Sequence, residues 1–163
     1  MTTVTVAEVT LDIDAPPASV FRYLTDPARY VRWMGSSATL EARPGGRYEV
    51  AMSDGFRAAG TFITVSPPHQ IAFTWGFADD EAASHTKEPG GGDRSSGDMP
   101  AGSTRVTVTL AAEGDRTRLT LRHDNLPSAD LAAAHQVAWD TYLPRLAAVA
   151  AGADPGPDPH GAA

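Results

Sequence analysis

The sequence predicts an α+β fold in which a curved antiparallel sheet wraps around one long C-terminal helix, with two short helices after the first strand. Between residues 4 and 123 apolar side chains recur at every second position in several segments, which is the period of a strand with one covered face. From residue 128 the period changes to three and four, as in an amphipathic helix. Because the apolar face of the sheet has no second sheet to meet, the helix must cover it.

The first strand is predicted over residues 4–13, where apolar and polar residues alternate. The prolines that follow suit the first turn of a helix, so a short helix is predicted up to about Thr25. A second short helix is predicted after Pro27 and before Gly35. Five further strands are predicted between turn sequences, over residues 47–53, 61–65, 71–75, 105–110 and 117–123.

The last predicted element is a helix over about residues 128–150. Ser128 is a suitable N-cap and Gly152 a suitable stop. We expect a kink or local unwinding at Pro144, because proline removes a helical hydrogen bond.

The chain of 163 residues is the size of one domain, predicted over residues 1–151. Residues 152–163 are rich in Gly, Pro, Asp and Ala without apolar periodicity, so they are predicted to form a disordered tail. The stretch at about 78–103 is similarly poor in core residues and is predicted to be a flexible loop. A lid over an interior cavity is the alternative interpretation of this loop.

Composition argues against several classes of function. The net charge is −7 and the arginines are scattered, so nucleic acid is not a predicted partner. The chain has no cysteine, and its five histidines lack the spacing of paired metal ligands, so neither a metal nor a cofactor is predicted. No segment approaches the ~20 apolar residues of a membrane span, and the first residues do not resemble a signal peptide. We therefore expect no membrane partner and a cytoplasmic location.

Short motifs along the chain resemble those of one known family. They include Trp33-Met34-Gly35, Pro44-Gly45-Gly46-Arg47-Tyr48, Phe73-Thr74-Trp75-Gly76, and His135 followed by Trp139. On these motifs, residues 4–150 resemble the bacterial relatives of the activator of the heat-shock-protein-90 ATPase, within the START-like (SRPBCC) superfamily. The resemblance implies the helix-grip fold, whereas the superfamily includes lipid carriers, polyketide cyclases and co-chaperone domains. Ala138 departs from the pattern, because the family usually has glycine before the helix tryptophan.

Eight residues are expected to converge between the sheet and the long helix, namely Trp33, Tyr48, Phe73, Trp75, Leu121, His123, His135 and Trp139. Aromatic residues at this spacing most often fill a core. In the fold implied by the resemblance they would also line an apolar ligand cavity with a few polar anchors. The histidines are candidates for such anchors or for general acid–base work, and the alternative is a structural histidine bonded to the backbone or to Tyr48. Asp124 cannot orient His123, because neighbours in a strand point to opposite faces.

Three functions remain open at the level of sequence. The first is a binding module for a small apolar or aromatic molecule, with three tryptophans as walls. The second, implied by the resemblance, is a co-chaperone-like domain that acts in the stress response by binding a chaperone or by self-association. The third is a cyclase or hydrolase that uses the histidines. No nucleophile elbow or HExxH helix is present, so no catalytic residue is assigned.

Overall fold

A computed structural model describes residues 5–52, 57–77 and 101–156 of the chain. The elements in these ranges are β1 (Ala7–Ile13), α1 (Pro17–Thr25), α2 (Pro27–Tyr30), β2 (Ser37–Leu40), β3 (Arg47–Ala51), β4 (Arg57–Ser66), β5 (Gln70–Trp75), β6 (Thr104–Glu113), β7 (Arg116–Asp124) and α3 (Ala129–Ala150). The predicted fold class is confirmed, as is the pair of short helices after the first strand.

The seven strands form one antiparallel sheet in the order β1-β7-β6-β5-β4-β3-β2. Strands that are neighbours in the chain are also neighbours in the sheet from β2 to β7, and β1 pairs with β7 at the far edge. The register places Trp75 opposite Thr104, and His123 opposite Val106. These inward-facing residues therefore gather at one end of the sheet.

The core lies between the inner face of the sheet and α3. Val106, Val108 and Leu110 of β6 are almost fully buried, and α3 contributes a complementary buried stripe that includes Leu143 and Leu146. Each such side chain stabilises the fold by about 1.5–3 kcal/mol relative to an exposed position. The buried face of α1 supplies Val20, Phe21 and Leu24 to the same core cluster.

The main differences from the sequence-based expectation concern four elements. Helix α2 ends at Tyr30 and does not continue towards Gly35. The structure adds β2, and it extends β4 back to Arg57 from the predicted start at Thr61. Helix α3 runs without interruption through Pro144, so the local unwinding expected there does not occur. Pro144 and Asp140 are both exposed. Water can therefore reach the Asp140 carbonyl that proline leaves without a helical donor.

Gly60 lets β4 approach β5 closely where β4 changes partners. A Cβ atom on Gly60 would lie only 1.8 Å from the carbonyl oxygen of Thr74. Before this point β4 pairs with β3, and from Phe62 onwards it pairs with β5 across an irregularity in register between Phe62 and Thr64. A residue without a side chain is therefore required at this bend.

Two side chains of α3 bind backbone groups elsewhere in the fold. The Gln136 amide accepts from the Glu8 N–H and donates to the Glu8 carbonyl, each at 3.0 Å, and so attaches α3 to the edge strand β1. The Arg145 guanidinium donates to the carbonyl of Trp33 at 3.0 Å, and to those of Pro155 and Gly156 at 3.0 and 2.9 Å.

Several predictions fall on residues outside the described ranges. These are the hairpin turn expected at Asp54-Gly55, residues 78–100 of the predicted loop and residues 157–163 of the predicted tail. The loop, the tail and the domain boundaries therefore stay predictions. Of the helices within the described ranges, none has the length and apolar character needed to span a bilayer.

Candidate functional site

The site lies where the sheet meets the N-terminal half of α3. Seven rings, which we call the aromatic seam, contact one another in an unbroken series there: Tyr48, Phe73, Trp75, Phe77, His123, His135 and Trp139. All except the half-buried Phe77 are at most 9% exposed. The sequence predicted six of the seven members.

Trp75 joins the two halves of the aromatic seam. On one side Tyr48 stacks on Phe73 with 4.0 Å between ring centroids, and the Tyr48 and Trp75 centroids are 5.9 Å apart. On the other side the Trp75 ring lies 5.4 Å from Trp139 and 5.8 Å from His123. The interior at this level is thus filled largely by rings in tilted or edge-to-face contact, the arrangement that aromatic pairs prefer.

The other two predicted residues border the aromatic seam. Leu121 is 1% exposed and lies between Val9 and Val108 of the neighbouring strands. Trp33 packs against Tyr30 with 4.7 Å between centroids, and its indole N–H donates to the Tyr23 carbonyl at 2.9 Å. Trp33 therefore lies on the α1–α2 side of the interior.

His123 is held by hydrogen bonds that determine its tautomer. The indole Nε1–H of Trp139 can only donate, so His123 Nδ1, 3.1 Å away, is the acceptor. The Thr104 hydroxyl donates to the Trp75 carbonyl at 2.8 Å, and its oxygen lies 2.7 Å from His123 Nε2. Nε2 must therefore carry the proton and donate to Thr104. Both ring nitrogens are satisfied in the neutral imidazole.

Burial of the imidazole, with the neighbouring His135 as a second cause, lowers the pKa of His123 well below its usual value. A protonated His123 would also lose its bond from Trp139, because Nδ1 could no longer accept. These contacts favour a structural histidine, although its partners are Thr104 and Trp139 and not Tyr48. Asp124 faces the other side of the sheet, where it pairs with Arg105 at 3.3 Å, as strand geometry requires.

His135 is oriented by its own helix. Its Nδ1 lies 2.9 Å from the Leu131 carbonyl, one helical turn earlier. A carbonyl oxygen can only accept, so Nδ1 carries a proton and Nε2 of the neutral ring is an acceptor. The ring meets that of His123 edge to face with 4.9 Å between centroids.

Tyr48 pairs with Tyr30, a residue that the sequence did not indicate as a partner. The two hydroxyl oxygens are 2.5 Å apart, and the Tyr30 hydroxyl also faces the Met34 sulfur at 3.9 Å. If Tyr30 donates to that sulfur, Tyr48 donates to Tyr30. Burial raises the pKa of both phenols above the ordinary value, so both stay protonated.

One buried donor of the aromatic seam has no partner among the described residues. The indole Nε1 of Trp75 is inaccessible to solvent, and no acceptor in the described ranges lies within hydrogen-bonding distance of it. Leaving such a group unpaired costs about 1–3 kcal/mol. Natural proteins pair most buried polar groups, so an exception invites a functional explanation.

The sequence also left Thr104 and Phe77 unassigned. Thr104 could have been found, because strand alternation puts it on the same face as Val106 and Val108. Phe77 lies just beyond β5 and forms an isolated bridge with Ala58, which no local pattern indicates. Across the described ranges, no three His, Asp or Glu side chains come close enough to hold a metal ion.

The curved antiparallel sheet, the two short helices after β1 and the long covering helix define a START-like, helix-grip domain. Residues 14–151 match the family described as "Activator of Hsp90 ATPase homolog 1-like protein", and the chain belongs to this family. The predicted resemblance is confirmed. No curated protein matches the chain.

Solved structures show the same fold. An AHSA1-like protein from Rhizobium etli is 40% identical, with a TM-score of 0.67 over 94% of this chain and 86% of that protein. An HSP90 activator from Plasmodium falciparum is 21% identical, with a TM-score of 0.66 over 90% and 96%. DynU16, encoded in the dynemicin biosynthetic locus, is 21% identical, with a TM-score of 0.69 over 95% of this chain. This chain spans about half of DynU16, covering 51% of it.

Proposed function

We propose that the protein binds a small apolar or aromatic molecule between the sheet and α3. The observation that carries this proposal is the buried, unpaired indole N–H of Trp75 in the middle of the aromatic seam. Ligand sites are predominantly apolar and contain a few polar groups that fix orientation. A spare donor surrounded by rings has this character.

The neighbours of Trp75 support this location for the ligand. Phe77 and His135 lie 6.2 and 6.4 Å from the Trp75 ring, and Phe77 is half-buried. The end of the aromatic seam formed by Phe77 and His135 is therefore nearer to solvent than the rest of the seam. A ligand that enters from this end would have to displace the rings of Phe77 and His135 before it could contact Trp75.

The proposal changes the role expected of the histidines. His123 has no vacant ring nitrogen, because Trp139 and Thr104 occupy both. The polar anchor is then Trp75, with His135 beside it. A cyclase or hydrolase that relies on a histidine pair gains no support, because His123 cannot exchange protons without losing its contacts.

Native mass spectrometry of protein purified from its host tests the proposal. We expect a bound mass that is released on denaturation, and displacement of that mass by the neutral fluorophore N-phenyl-1-naphthylamine. Val137→Ala changes an exposed position on α3 outside the aromatic seam and serves as a control. It should retain the bound mass and bind the fluorophore as wild type does. Ligand-free protein in every preparation, together with no fluorescence change on adding the probe, would refute the proposal.

A second candidate is a co-chaperone-like role, favoured by the family to which residues 14–151 belong. A cytoplasmic location and a part in the stress response belong to this candidate, as does binding to a chaperone or to a second copy. It predicts stimulation of a bacterial heat-shock-protein-90 ATPase by the purified protein. Absence of stimulation at saturating protein, with a monomer in sedimentation velocity, would remove it.

A further inference from the structure

We infer that the ligand of the aromatic seam is a neutral aromatic carbonyl compound whose carbonyl oxygen accepts a hydrogen bond from Trp75 Nε1. This inference rests on the proposed function and specifies the chemical class of the ligand. It follows from three properties of the aromatic seam: its unpaired donor, its lack of formal charge and its rings.

The unpaired donor requires an acceptor on the ligand. Trp139 Nε1 is bonded to His123, the Thr104 hydroxyl to the Trp75 carbonyl, and His135 Nδ1 to the Leu131 carbonyl. Trp75 Nε1 has no partner within the part of the chain that the structure describes. A carbonyl oxygen satisfies this donor and brings no donor of its own that would need a further partner.

The ligand is neutral because the aromatic seam offers no compensating charge. The buried polar residues of the described chain are Thr104, Thr117, His123 and His135, and none of them carries a carboxylate, guanidinium or ammonium group. His123 is held neutral by its two hydrogen bonds. A carboxylate or ammonium group on the ligand would lose its hydration without a counter-ion, which is strongly unfavourable.

The rings around the donor select an aromatic body. The Trp75 ring meets those of Phe77, His123 and His135 at interplanar angles of 70°, 76° and 88°. A flat ligand beside Trp75 would therefore meet both faces and edges of the surrounding rings. Each aromatic contact of this kind contributes about 0.5–1.5 kcal/mol beyond the area that it buries.

Three naphthalenes of similar size test the inference: 1-acetonaphthone, which has a carbonyl; 1-ethylnaphthalene, which lacks it; and 1-naphthoate, which is an anion. Dissociation constants are measured by isothermal titration for wild type and for Trp75→Phe, which keeps an aromatic ring and removes the donor. The ratio of ketone to hydrocarbon affinity should fall about three- to tenfold in Trp75→Phe, the value of one hydrogen bond. Wild type should bind the naphthoate at least about tenfold more weakly than the ketone.

A measurement on wild type alone guards against a destabilised variant. In a ¹⁵N–¹H spectrum, the Trp75 indole proton should move downfield with the ketone and not with the hydrocarbon. An equal ketone preference in both proteins, an unmoved indole signal or tight naphthoate binding would overturn the inference while leaving ligand binding intact. If none of the three compounds nor N-phenyl-1-naphthylamine binds, the proposed function itself fails.

Discussion

Trp139 and His123 meet through a single hydrogen bond of 3.1 Å that joins α3 to β7 in the middle of the core. An indole can only donate, so this contact makes Nδ1 of the imidazole an acceptor and leaves the proton on Nε2. The Thr104 oxygen then accepts a hydrogen bond from Nε2–H, and the Thr104 hydroxyl donates one to the Trp75 carbonyl. The helix, β7, β6 and β5 are thereby connected through one chain of hydrogen bonds.

Removing the Trp139 donor should destabilise the protein more than removing the Trp75 donor. Trp139→Phe leaves His123 Nδ1 buried without a partner, which costs about 1–3 kcal/mol in addition to the loss of ring volume. Trp75→Phe deletes the same atoms, but none of the described residues accepts a hydrogen bond from the Trp75 N–H, so none of them is left without a donor. Urea denaturation gives both free energies of unfolding. Equal losses for the two variants would contradict the assigned hydrogen bond.

Stability should fall in mild acid because of His123. Its pKa is depressed in the folded protein, whereas the unfolded chain takes up a proton near the ordinary value of about 6.5. Below that pH the unfolded state binds more protons, so the free energy of unfolding falls by up to about 1.4 kcal/mol per pH unit. The contribution of neutral His123 to stability is complete above the pKa that His123 has in the unfolded chain. It is lost as the pH falls through the lower pKa of His123 in the folded protein.

The urea midpoint measured from pH 7.5 to 5 reports this dependence, and His123→Gln isolates it, since glutamine does not titrate. The difference in slope between wild type and variant should correspond to about one proton. A His123 imidazole whose NMR signals titrate near the ordinary pKa in the folded protein would show that the assignment is wrong.

The Tyr30 and Tyr48 hydroxyls should be energetically coupled. Each single change to phenylalanine leaves the other buried hydroxyl without its 2.5 Å partner and should cost roughly 1–2 kcal/mol. The double variant removes both polar groups together, so its cost should be less than the sum of the single costs. A double-mutant cycle in urea measures the difference, and strict additivity would mean that the hydroxyls do not interact.

Gly60 should tolerate no side chain. Gly60→Ala places Cβ 1.8 Å from the Thr74 carbonyl, so the β4–β5 contact must separate, at a cost above about 3 kcal/mol. Gly114→Ala is the comparison, because a Cβ there meets nothing within 4 Å and the cost is that of a φ of +64°, about 1–2 kcal/mol. Soluble yield and urea midpoint distinguish them. A well-folded Gly60→Ala protein would contradict the close approach.

The inward-facing side chains of the strands were predictable because alternation is local. In β6 the apolar residues Val106, Val108 and Leu110 alternate with more polar ones, so a short stretch of sequence shows which side chains face inward. The buried stripe of α3 is visible in the same way, at helical spacing. Strand β2 was missed because, among its four residues, only Leu40 is buried, so no alternation is visible. A short edge strand forms because it pairs with the neighbouring strand. The periodicity of its own sequence carries no information about that pairing.

The polar contacts of the site were not predictable from local patterns. The hydroxyl of Tyr48 in β3 is hydrogen-bonded to that of Tyr30, which lies in the four-residue helix α2. Nothing in the sequence around Tyr30 indicates this contact. The tautomer of His123 follows from the directions of bonds to two residues distant in sequence, so it exists only in the folded structure. The aromatic members could be named from residue type and period, whereas their hydrogen bonds required three-dimensional positions.

The contact of Gln136 with Glu8 has a consequence for solubility. β1 is an edge of the sheet, and its outward N–H and C=O groups are the kind that another polypeptide recruits to extend a sheet. The glutamine amide occupies both groups of Glu8 in the way that the peptide unit of a neighbouring strand would. Helix α3 thus covers the core and also occupies backbone groups at the β1 edge of the sheet. A strand from another copy of the chain is therefore less able to pair with β1.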